Sequence, residues 1–193
     1  MINYFFSHPD TFVMTTPQHP KFSPEQITEV SRAVATAEHL VSDYYKLSAT
    51  QMRQLNYDVK TAADLGGHEI VEDHFAQIVR YRAQKAESLL KTETDDFYKI
   101  CLQDHSIIQV IRDFENIGLY PFLLYIICHE LVHVVRFRRF QQQFSVPDEQ
   151  KRSEEIRVHR ITHEILAGQQ TAGMDSVFGF YENWRTAEDM MSR

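Results

Sequence analysis

The pentapeptide His129-Glu130-Leu131-Val132-His133 constrains this chain more than any other segment. It lies in the middle of a strongly helical stretch that begins near Tyr120-Pro121 and continues to about Gln142. Four residues advance an α-helix by about 6 Å and 400°. His129 and His133 therefore project from one face, close enough to hold a single metal ion. Glu130, rotated by about 100°, can reach a water beside that ion instead of the ion itself. The chemistry needs this division of labour. Neutral imidazoles hold Zn²⁺ and leave coordination positions open, the ion lowers the pKa of water, and the glutamate accepts its proton. A shuffled chain of this composition, with 10 His among 193 residues, would contain roughly 0.04 such patterns.

Two histidines alone make a weak site, so a third ligand is required. The next helical segment, from about Asp148 to Ala167 and capped by Gly168, offers Glu154, Glu155, His159, His163 and Glu164. Glu155, His159, Thr162, His163 and Leu166 are spaced by three and four and share one face. Glu155 is preferred as the ligand, because it alone shares a face with His159 and His163; Glu154 and the two histidines remain alternatives. His159, one turn on, suits a partner that orients Glu155, and His163 a position nearer the substrate. Tyr120, Tyr125, His105, Arg157 and Arg160 are candidates for stabilising an oxyanion. A second metal group is conceivable among His68, Glu69, Glu72, Asp73 and His74, although acids at a helix start are explained by the helix dipole alone. The same dipole accounts for Arg136, Arg138 and Arg139, with an anionic substrate as the sharper alternative. Cys128 reads as a buried thiol.

The surrounding chain reads as mostly helical α+β. Residues 1–22, with Pro9, Pro17 and Pro20, suit an irregular arm. Ser23-Pro24-Glu25-Gln26 is a helix start with a capping box, and Ile27, Val30, Val34, Ala37, Val41 and Tyr44 form one apolar stripe on a helix running to about Leu55. The heptad-like spacing also raises a homodimer through this helix. After a break over Thr61 to Gly67, a second helix is expected from about His68 to Leu90. A β-hairpin is expected from 97–102 and 106–111, turning at Gln103-Asp104-His105. A docking segment around Val177, Phe178, Phe180, Tyr181 and Trp184 closes the chain. Residues 1–60 would pack as an arm and long helix on a metal-binding region over 61–193, one compact domain in all.

The arrangement resembles the zincin superfamily and, within it, the small gluzincin-like metallopeptidases, in which an H-E-x-x-H helix is followed by a helix supplying a glutamate ligand. Glu154 and Glu155 lie 21 and 22 positions after His133. The likeness covers positions 68 to 167 and implies a minimal zincin core: helix, short hairpin or sheet, H-E-x-x-H helix, ligand helix. Val134-Val135-Arg136-Phe137-Arg138 carry neither the Gly nor the third His of the metzincin extension. The resemblance implies a zinc metallopeptidase with one Zn²⁺ per chain, Glu130 as the catalytic base and a peptide or protein as substrate. It also implies an exposed edge strand, about Ser106 to Asp113, to which that substrate adds.

Composition sets limits on the rest. A net charge of −7 argues against non-specific nucleic-acid binding. The longest apolar run, Phe122 to Cys128, stops short of a bilayer crossing, and neither a membrane partner nor a secretory signal is expected. Two cysteines, Cys101 and Cys128, fit a reducing, cytoplasmic setting. Two other functions compete. One is a di-iron or di-manganese carboxylate bundle, which wants two E-x-x-H motifs where this chain has only Glu130-x-x-His133. The other is a non-catalytic regulatory protein that retains a metal site.

Overall fold

A computed structural model describes residues 19–82, 96–139 and 148–183. Their architecture is mostly helical α+β, with a small sheet flanking a central helix. Helix α1 (Pro24–Tyr45) starts as the sequence predicts: Ser23 accepts from the Gln26 amide and the Gln26 side chain returns to the Ser23 amide. It ends ten residues earlier than expected. Lys46 takes a left-handed conformation at φ 52°, and the Leu47 amide reaches back to Ser42. Ser48 and Gln51 then form a second capping box, which opens the short helix α2 (Ala49–Gln54).

The sheet has strand order β1 (Tyr57–Lys60), β3 (Asp96–Leu102), β2 (Ala76–Arg82). β1 runs parallel to β3, with Tyr57 opposite Tyr98, and β2 runs antiparallel, with Ile78 opposite Ile100. Two expectations are overturned here. The helix expected over His68 to Leu90 is instead a 3₁₀ turn at Gly67–Glu69, a loop, and strand β2, with 83–90 outside the described residues. Ile78, Val79 and Tyr81 suit a strand, and pairing along all of β3 overrides their helical spacing. The expected second hairpin strand, Ser106 to Asp113, is helix α3 (Asp104–Asp113). Its buried residues Ile107 and Val110 sit three apart, so the helical period prevails over β-branched composition.

Helix α4 (Leu119–Arg138) carries the motif and forms the centre of the core. Every residue from Pro121 to Arg136 except Glu130 is buried, as expected of a helix that is apolar all round. It is long and apolar enough to cross a membrane by length and composition, but most of it is enclosed by protein. It packs on α1, on β2, on α5 (Asp148–Ala167) and on α6 (Met174–Phe180). The stripe of α1 meets it through Val30, Ala33, Ala37, Leu40 and Val41, where two alanines allow close approach. Tyr44, placed on that stripe by its spacing, is largely exposed. The expected continuation of α4 to Gln142, most of the N-terminal arm and Trp184 lie outside the described residues.

Candidate metal centre

The helical repeat brings the two motif imidazoles together without help from the rest of the fold: His133 Nε2 lies 3.2 Å from His129 Nε2. Helix α5 then delivers a carboxylate across both. Glu155 Oε2 is 3.3 Å from His129 Nε2, and its Oε1 is 3.4 Å from His133 Nε2. Ligands bound at 2.0–2.1 Å on a tetrahedral ion are separated by about 3.3–3.4 Å. The two imidazoles lie close to that spacing from each other, and each lies close to it from a different oxygen of the Glu155 carboxylate, a donor set whose chemistry and size suit Zn²⁺. The two imidazoles are buried and Glu155 is one-third exposed, leaving the group open on its carboxylate side.

An ion pair one turn along holds α5 in register. Arg136 of α4, buried, donates from Nε to Glu154 Oε1. Glu154 therefore turns away from the histidines, and the adjacent Glu155 turns towards them. The other arginines of the run also serve the fold. Arg138 donates to the carbonyls of Leu55 and Asp96, and Arg139 to that of Tyr45.

His159 lies buried beside the centre, its ring centroid 4.3 Å from that of His129. Its Nδ1 shares a 3.0 Å hydrogen bond with the hydroxyl of Tyr125, which stacks on Tyr181 at 4.2 Å. It thus lies against the His129 side of the site. His163 packs on Phe178 at 4.3 Å. His129 Nδ1 is buried with no hydrogen-bond partner among the described residues.

Burial pushes the Glu155 carboxyl up, but hydrogen bonds from His129 and His133, and their charges, outweigh it and hold the group well below the usual carboxylate range. Glu130 moves the other way. Burial raises its carboxyl above the ordinary value, His129, His133 and His74 oppose the rise, and Glu155 adds to it. Two neighbouring carboxyls are thus pushed in opposite directions, one towards permanent ionisation and one towards proton exchange.

The candidate oxyanion donors fall elsewhere. Tyr120 bonds Thr36 under the guanidinium of Arg32, and Tyr125 is committed to His159. Arg157 and Arg160 are exposed, and His105 joins a separate cluster. His74, exposed in the loop before β2, adds a small lowering influence on the Glu130 carboxyl. Glu69, grouped with it in the sequence, instead accepts from the amide of Gly66, the hydroxyl of Tyr81 and the ammonium of Lys99. Cys101 and Cys128 are both buried free thiols, and burial raises both. No family model, curated protein or solved structure matches this chain.

Proposed function

We propose that the chain is a zinc-dependent hydrolase of peptide-like amide bonds, with His129, His133 and Glu155 holding one Zn²⁺ and Glu130 acting as general base. The observation that supports this reading most is the Glu155 carboxylate set across two imidazoles 3.2 Å apart, one oxygen 3.3 Å from His129 and the other 3.4 Å from His133, with Glu130 next to His129 in the helix. When bound, the ion supplies Lewis-acid polarisation of the amide carbonyl and a lowered pKa for the attacking water. Glu130 takes the proton from that water and returns it to the leaving amine nitrogen, a shuttle that its raised carboxyl suits. Glu155, held ionised, offsets the charge of the cation.

Strand β2 takes the substrate-docking part expected of residues 106–113. Among the described residues it lies at the edge of the sheet and packs beside α4, where an extended peptide would add along it. A dinuclear carboxylate centre has less support: one glutamate reaches the two histidines, and Glu154 is engaged by Arg136.

The test is Glu130→Gln in zinc-loaded protein, assayed on a quenched peptide library. Hydrolysis should fall by about 10²–10⁴-fold while zinc content stays the same. Equal cleavage by both proteins would remove Glu130 as the base, and no cleavage by either would leave a non-catalytic metal protein.

A further inference from the structure

A second group of metal-ligating side chains lies outside this centre and takes no part in the chemistry above. His19 precedes α1, Glu72 lies in the loop before β2, and His105 sits in the first turn of α3. Glu72 Oε1 is 3.3 Å from His19 Nε2, and Glu72 Oε2 is 3.5 Å from His105 Nε2. One donor atom from each residue lies within 4.8 Å of the other two, and the two imidazole rings tilt together at 4.5 Å. His105 is the informative member. Its side chain is only 10% exposed, and neither ring nitrogen makes a hydrogen bond among the described residues. Buried polar atoms normally find partners, so an orphaned imidazole aimed at a carboxylate and a second imidazole points to an absent ligand.

We propose that His19, Glu72 and His105 form a second divalent-cation site. Two imidazoles and one carboxylate favour Zn²⁺ over Mg²⁺ or Ca²⁺, which take mainly oxygen ligands. Bound there, the cation gives His105 Nε2 its partner and joins the segment before α1 to the loop before β2 and the first turn of α3. Asp104 already gathers the same region, accepting from the amides of Phe22 at 2.9 Å and Ala62 at 3.0 Å. Ser106 Oγ already donates to the Glu72 carbonyl at 3.2 Å, and the cation adds the Glu72 carboxylate and His19 to this anchor. The site is therefore a structural clasp, independent of whether the first centre is catalytic.

Equilibrium dialysis of metal-stripped protein against Zn²⁺, followed by metal analysis, tests it. The native chain should bind about two ions, and Glu72→Gln and His19→Ala about one each. Both changes fall on side chains with solvent exposure, so the fold should survive them. His133→Ala should also bind about one, and the His133→Ala, Glu72→Gln pair none. Zinc should raise the melting temperature of His133→Ala but not that of the double variant. The clasp is overturned if Glu72→Gln and His19→Ala both retain the native stoichiometry. Should Glu72→Gln lose an ion while His133→Ala loses none, the clasp stands and the first centre fails.

Discussion

Two His-Glu-His groups in one chain share a local geometry, a carboxylate straddling two Nε2 atoms, yet they are assembled in opposite ways. The group on α4 and α5 takes both imidazoles from a single helix, where a spacing of four residues fixes their separation as soon as the helix forms. The group at His19, Glu72 and His105 draws on three distant segments and exists only once the sheet and α3 are in place. The carboxylate distances are nearly the same, 3.3 and 3.4 Å in the first and 3.3 and 3.5 Å in the second, but only in the first does one helix set the two nitrogens 3.2 Å apart. The lesson concerns preorganisation: a site within one helix needs the fold chiefly for its last ligand, and a site between segments needs it for all of them.

The sharpest way to break the comparison is His133→Ala. With zinc at 100–1,000 times its dissociation constant, losing a site specific to the folded state costs about 3–4 kcal/mol, and hydrolysis should drop to background. Thermal melts with and without chelator check this, and full zinc retention with an unchanged melting temperature would remove His133 from the ligand set.

Glu154→Ala probes the register of α5 next. It leaves Arg136 buried and unpaired, which costs about 3–5 kcal/mol by denaturant unfolding. Glu154→Gln, retaining an acceptor, should cost less; equal losses would mean that the ion pair does not set the register.

Acid acts on Glu69, three residues before Glu72. Burial opposes ionisation of Glu69, but Lys99, the Gly66 amide and Tyr81 overcome it and hold the carboxyl at about 2, below its ordinary 4.5. A depressed carboxyl stabilises the fold above the unfolded value, and that contribution disappears as pH falls from about 4.5 towards 2. Denaturant melts of metal-stripped protein across this window should show a decline that Glu69→Gln flattens. A decline of the same slope in the variant would assign acid sensitivity to another carboxylate.

The smallest expected effect is at Tyr125. Tyr125→Phe removes one hydrogen bond to His159 and should cost about 1 kcal/mol. Zinc content should be unchanged; loss of the metal would show that the Tyr125-His159 pair does more than brace the His129 ring.

How much of this was legible in the sequence follows the same division. His129, Glu130 and His133 could be read because helical geometry is local, and Glu155 because it recurs with His159 and His163 on one face. The turn of Glu154 towards Arg136 could not be read, since it depends on how two helices rotate against each other. The two secondary-structure errors mirror one another. Over 76–82 spacing suggested a helix and β-composition prevailed; over 104–113 composition suggested a strand and spacing prevailed. The deciding partner in both cases was β3, which pairs with a strand before it and leaves the residues after it to pack as a helix. Glu72 was legible as a possible ligand of a second metal, but nothing local linked it to His19 and His105, which lie 86 positions apart.

The dependence of α1 on α4 also has a kinetic side. The apolar stripe of α1 is covered by a helix that begins roughly 75 residues later, a delay of about 4–15 s at ordinary ribosomal rates. During that interval the nascent chain presents Val30, Ala33, Ala37 and Val41 to whatever surrounds it. Expression yield and chaperone demand should therefore track the polarity of that stripe more closely than they track any feature of the finished protein.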